Sequence, residues 1–328
     1  MKNFYLCALA AGALLLAASC SQYELAPTAP VPQETEKCTV TFQAEDVATK
    51  ATTGTNDAKI NNLQVFVFLG DNLDVYGTAD DSSVSLSCTP GSRNIVVVAN
   101  GPDLSSITTR TALLATTSLM ANSSITSMEM IGSQTETLSA SNKNITVPVT
   151  RLGCRVVVSS IKKAFNSAAL QAQTFTVKKI YLVNVAGDCL YGTAAHTPTV
   201  WFNKLTHGAE QSAMTLDAPN ATIASGTPYS TAHTFYAWPN PTVTDVEGGS
   251  WSARHTRLVL ETTLGSDTFY YPITLPVMEK NKSYNIAEIK ITRPGSSSPD
   301  VPVSALDCSF TVTVNNWTEV ALTDGTTI

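Results

Sequence analysis

The stretch Cys38-Thr39-Val40-Thr41-Phe42-Gln43-Ala44 decides the fold class, because apolar and polar side chains alternate strictly along it. Successive side chains of a strand point to opposite faces, so this period of two describes a half-buried strand with one wet face. The same reading extends outward. Leu63-Gln64-Val65-Phe66-Val67-Phe68-Leu69 is apolar on both faces and belongs at the centre of a sheet. Arg93-Asn94-Ile95-Val96-Val97-Val98-Ala99-Asn100 is another buried strand, stopped by Gly101-Pro102. Strand signals return at residues 144–149, 154–159, 175–185, 234–238, 257–261, 268–273, 283–291 and 308–314. Residues 293–300 are a loop by composition. Only residues 105–120 suggest a helix, with Ser105 and Ser106 as candidate N-caps and Ile107, Leu113, Leu114 and Met120 as its apolar positions. No fixed-period repeat is visible. Many short strands with turn punctuation indicate a mainly β protein of β-sandwich-like domains.

With 328 residues the chain is long for one small sandwich, and two domains are expected, with a boundary near residues 150–153. A hydrophobic content of 43% against 14% charged supplies sizeable cores. The net charge of −6 argues against a nucleic-acid partner, since phosphate binding needs a basic face.

The amino terminus reads as a targeting segment. Lys2 gives a positive start, and the apolar run from Phe4 to Ala18 is too short for a membrane-spanning helix but fits a secretory signal. Leu16-Ala17-Ala18-Ser19-Cys20 resembles a bacterial lipobox with Ala17 as a relaxed choice, which makes Cys20 the lipidated first residue of the mature chain. Pro27, Pro30 and Pro32 make the following segment an extended tether. The expected organisation is therefore a signal peptide at 1–19, a lipid-anchored tether at 20–37, and β domains at 38–152 and 153–328. This makes the precursor an exported lipoprotein.

No catalytic constellation stands out, so neither an enzyme nor a cofactor is expected. His196, His207, His233 and His255 have no metal-binding spacing, and there is no nucleophile elbow, phosphate loop or metalloprotease motif. Asp80-Asp81 reads as a solvated turn, since calcium takes about six to eight oxygens. Lys162-Lys163 and Lys178-Lys179 read as solvated faces. Of seven cysteines, Cys7 goes with the signal and Cys20 takes lipid; Cys38, Cys88, Cys154, Cys189 and Cys308 read as small buried hydrophobes rather than a disulfide framework. Trp201, Tyr236 and Trp238 offer an alternative reading, a glycan platform on a surface lipoprotein, against core or rim positions.

The late strand Cys308-Ser309-Phe310-Thr311-Val312-Thr313-Val314 echoes the design of Cys38–Ala44. Two such strands can occupy the same groove, because main-chain hydrogen bonds ignore sequence and pockets read alternate side chains. Glu279–Ile286, Ile289–Thr292, Pro294-Gly295-Ser296, the loop containing Pro299 and Thr311-Val312-Thr313-Val314-Asn315-Asn316-Trp317, in that order, resemble the Bacteroidales fimbrillins, the type V pilins. Pro90-Gly91 before the strand at Arg93 and Val149-Thr150-Arg151-Leu152 match as well. The resemblance implies two β-sandwich-like, transthyretin-like domains in tandem and a fimbrial subunit exported as a lipoprotein. A protease then cuts after the first strand, here between Lys50 and Ala51, where the family usually has Arg. The lost strand, with Val40 and Phe42, leaves a groove that the C-terminal strand of another subunit fills with Phe310, Val312 and Val314. The implied partners are other fimbrial subunits, in a homopolymer or with accessory pilins, the outer membrane through lipid, and host glycans or proteins in adhesion. Lys50 in place of Arg keeps an anchor subunit open, and a tip subunit is the other variant.

Overall fold

The computed structural model describes residues 36–46, 57–244, 251–301, 303 and 307–317. Cys20, Lys50 and Ala51 lie outside the described residues. The mainly β expectation is borne out: strands follow one another from Cys38 to Asn316, interrupted by three short α-helices among the described residues.

The first half builds a seven-stranded sheet. Its spatial order is Asn72–Ala79, Leu63–Leu69, Gly91–Ala99, Met130–Leu138, Asn144–Arg151, Cys38–Asp46, Ser83–Cys88. The two outer strands of that order are consecutive in sequence, joined through Asp80–Ser82, so the sheet curls back on itself. Gly77 permits the closure, because a Cβ there would lie 2.2 Å from Leu86 Cδ2. Inside the curl lie Val40, Phe42, Val65, Val67, Ile95, Val97, Ile145, Val147 and Val149. The opposite faces of the two central strands bury Phe66, Phe68, Val96 and Val98 in a second core. This is why the runs Leu63–Leu69 and Gly91–Ala99 are apolar at both parities: each strand touches a core on either side.

That second core continues through the other half of the chain, where it takes in Val156, Ile180, Leu182, Trp238, Leu258, Leu260, Tyr284 and Ile286. A five-stranded sheet is built around Phe175–Val183, Arg257–Leu264 and Asp267–Thr274. A four-stranded sheet runs His233–Ala237, Cys154–Val158, Lys282–Ile286, Val312–Asn316. A three-stranded sheet joins Ile161–Lys163, Ile289–Ile291 and Cys308–Ser309.

Three local expectations are corrected. The helix at 105–120 shrinks to Arg110–Ala115, capped by Thr109, whose Oγ1 accepts from the Ala112 N–H at 3.2 Å. The hydroxyl of Thr116 bonds back to the Ala112 carbonyl at 2.9 Å, and Thr117–Leu119 leaves to pair with Asp188–Leu190. β-branched residues that cap and pair better than they propagate a helix account for this. The strand at 283–291 breaks at Ala287–Glu288, and 308–314 breaks with it at Phe310–Thr311, each moving from one sheet to another. Lys163 is buried rather than solvated, with its ammonium donating to the Gln173 carbonyl.

Candidate functional site: the first and last strands

The first strand, Cys38–Asp46, lies between two others. On one side it runs antiparallel to Ser83–Cys88, with Val40 opposite Leu86 and Phe42 opposite Val84. On the other it runs parallel to Asn144–Arg151, with Phe42 opposite Ile145 and Ala44 opposite Val147. Both edges of its backbone are therefore occupied. Val40 and Phe42 are 0% exposed, whereas Thr39, Gln43 and Glu45 face water. The outward threonine Thr41 reaches Ser85 Oγ at 2.8 Å.

Among the described residues the last strand, Val312–Asn316, pairs with one neighbour, Lys282–Ile286, and forms the edge of its sheet. Val312 stands opposite Ile286 and Val314 opposite Tyr284. Phe310 is 37% exposed and Val314 45% exposed, and Val312 is half-buried. Phe310 and Val314 thus lie on an edge segment with little cover, while Val312 between them packs against the core. An exposed apolar edge strand is the kind of surface that soluble proteins ordinarily protect.

A buried polar cluster holds the end of that strand. Asp57 lies at the first described position after 47–56. Its carboxylate is 3.4 Å from Arg155 Nη1 and 3.7 Å from Arg151 Nη2, and it accepts from Tyr236 Oη at 3.1 Å. Both guanidinium groups lie over the Trp317 ring, at 4.8 and 5.2 Å from its centroid. Tyr236 stacks on the same ring at 5.7 Å. Burial lowers the pKa of Arg155, and the Asp57 charge works in the opposite direction. Cation–π contact and a shared carboxylate together make two buried arginines tolerable. Arg151 and Trp317 were legible only as parts of a resemblance. The one local signal for Arg155 is its spacing from Arg151 across the tight Leu152-Gly153 link between two strands.

The glycan platform does not form. Tyr236 and Trp238 are 1% and 0% exposed, and the Trp238 indole N–H donates to Ser118 Oγ at 3.1 Å. Trp201 is half-buried, edge-on to Trp251. The Asp81 carboxylate receives the Ser82 N–H at 2.6 Å, a turn contact. Among the described residues no group of His, Cys, Asp or Glu is placed to hold a metal. Cys38, Cys88, Cys154, Cys189 and Cys308 are buried and free, as small hydrophobes.

The Major fimbrial subunit protein (FimA) family matches residues 37–156 of the chain. No curated protein matches it. Among solved structures, a Bacteroides eggerthii protein provisionally named for cell adhesion is similar over 86% of this chain and 96% of its own, at 20% identity and a TM-score of 0.66. A fimbrilin from Porphyromonas gingivalis is similar over 87% of this chain and 98% of its own, at 18% identity and a TM-score of 0.59. A fimbrial assembly protein from Parabacteroides distasonis is similar over 85% and 99%, at 16% identity and a TM-score of 0.50. The resemblance to the fimbrillins is borne out by the family match, and the fold is that of the fimbrilin.

Proposed function

We propose that this chain, which matches the major fimbrial subunit family at residues 37–156 and has the fimbrilin fold, is a non-enzymatic structural subunit of a bacterial surface fimbria. It is exported as a lipoprotein on Cys20, cut between Lys50 and Ala51, and polymerised by strand exchange to support adhesion. The carrying observation is the contrast between its terminal strands. The first is paired on both edges and buries Val40 and Phe42; the last is an edge that exposes Phe310 and Val314.

Loss of the first strand would leave Ser83–Cys88 and Asn144–Arg151 with unpaired backbone groups facing a vacated apolar groove. A strand of the same two-residue period would restore the ladder and fill the pockets. Burying each side chain of this size contributes about 1.5–3 kcal/mol. Such a contact is head-to-tail and propagates as a fibre. In this reading residues 38–152 form the accepting domain and residues 153–328 the donating one.

A second reading, an uncut anchor subunit, is favoured by one observation: Lys50 stands where the family usually has Arg. Amino-terminal sequencing of purified fibres separates the two. Ala51 as the first residue supports the polymerising subunit; a chain still starting at the lipidated Cys20 supports the anchor and overturns strand exchange at this position.

A further inference from the structure

We propose that Cys38 and Cys88 form a disulfide site that staples the first strand to its neighbour and makes release of that strand depend on the redox state of the pair. The consequence for release rests on the strand-exchange reading above; the site itself does not.

The two cysteines are directly opposite each other in the antiparallel register of Cys38–Asp46 and Ser83–Cys88. Opposed residues in such a pair have Cα atoms about 4.5–5.5 Å apart. A disulfide takes a Cα separation of about 4.4–6.8 Å. Opposed side chains also share a face, and both cysteines belong to the apolar cluster inside the curled sheet. Cys38 Sγ lies 3.6 Å from the Cys88 carbonyl oxygen, so its sulfur already rests on its partner residue. The other cysteines among the described residues have no such placement. Cys154 is opposite Ala237, Cys189 opposite Ser118, and Cys308 opposite Ile291.

The structure holds the pair as two thiols. Joining them removes two protons and two electrons. The acceptor is a disulfide, either on an exported thiol–disulfide oxidoreductase or on a small thiol, which is reduced to two thiols as the Cys38–Cys88 bond forms. An exported chain meets oxidants of this class. Burial pushes the Cys88 thiol up to about 11, and Cys38 beside it acts in the same direction. Little thiolate is then present in the closed sheet, so the bond forms as the sheet closes and exchanges slowly afterwards.

A cut between residues 47 and 56 frees the first strand from the chain that follows it. With the disulfide formed, the strand stays covalently attached to Ser83–Cys88 and the groove stays filled. With the thiols reduced, only the ladder and the buried side chains hold it. The pair therefore separates cutting from opening.

The test begins with the full chain purified in detergent, unfolded under reducing conditions, refolded in the presence of glutathione disulfide, blocked with iodoacetamide in denaturant, digested and mapped by mass spectrometry. A peptide pair joined through Cys38 and Cys88 is expected. Full alkylation of both thiols, or a link to Cys154, Cys189 or Cys308 instead, overturns the site. In a second arm the oxidised chain is nicked with trypsin under native conditions and run on denaturing gels. The fragment carrying the first strand should stay attached without reductant and separate with dithiothreitol, while a nicked Cys88→Ala chain should release it without reductant. Separation from the oxidised wild-type chain without reductant overturns the staple. Linked peptides in a chain that never forms fibres uphold the disulfide and remove strand exchange; free thiols in a chain that polymerises do the reverse.

Discussion

Trp317 is 2% exposed, while Phe310 and Val314 in the same terminal segment are 37% and 45% exposed. The attachment of the last strand is therefore concentrated at its far end, where the indole lies under Arg151 and Arg155. Trp317→Ala should cost about 3–5 kcal/mol, the usual range for truncating a buried tryptophan. It should also speed hydrogen exchange in Lys282–Ile286, the partner of that strand among the described residues. Urea denaturation and exchange mass spectrometry check both. Asp188 sets an acid limit of its own. Burial alone would raise its pKa, but N–H bonds from Val200 and Thr199, the Thr199 hydroxyl and His196 hold it below the ordinary 3.8. Its folded pKa lies below its unfolded one, so its contribution is present above pH 3.8 and is lost as pH falls through the folded value. Asp188→Asn should destabilise the chain at neutral pH by about 1–3 kcal/mol, because an amide presents N–H to donors that need an acceptor. The gap between variant and wild type should narrow as pH falls below 3.8. Denaturation midpoints from pH 6 down to about pH 2 read it directly.

At the scale of the strands, the two ends of the chain are expected to respond oppositely to substitution. Phe42 is 0% exposed in the uncut chain, and Phe42→Ala should cost about 3–5 kcal/mol there. Under the proposed maturation, fibres of cut subunits would no longer contain Phe42, so their resistance to denaturant should be unchanged. Val314→Asp should do the reverse. An exposed edge position tolerates the change within about 0.5 kcal/mol in the uncut chain, whereas a carboxylate carried into an apolar groove should stop assembly. Thermal melts of the uncut chain beside denaturing gels of fibres measure each half. Strands of this kind are legible in the sequence because their patterns are local: Cys38–Ala44 alternates and buries one face, and Leu63–Leu69, apolar on both faces, is buried except at Leu69. What was not legible depends on distant partners. The bend at Phe310–Thr311 exists because the neighbouring pair bends at Ala287–Glu288. The helix at 105–120 shortened because Thr117–Leu119 found Asp188–Leu190 to pair with. Asp57 gave no signal at all, since its partners lie about a hundred residues or more away in sequence.

Across the molecule, the two terminal regions of the described fold meet. Asp57, beyond the segment read as the processing site, and Trp317, at the end of the segment read as the donor, share one buried cluster. The first strand and the last strand have the same apolar period but opposite cover, and that asymmetry is what strand exchange between copies requires. The most direct test follows assembly of the protease-nicked chain with and without residues 307–328. Circular dichroism first confirms that the shortened chain is folded. The full-length nicked chain should give fibres by electron microscopy and a denaturant-resistant ladder on gels, while the chain ending at Leu306 should stay monomeric. Normal fibres and an unchanged ladder from the shortened chain would contradict the account, because a subunit with no last strand would then have nothing to donate and would still polymerise.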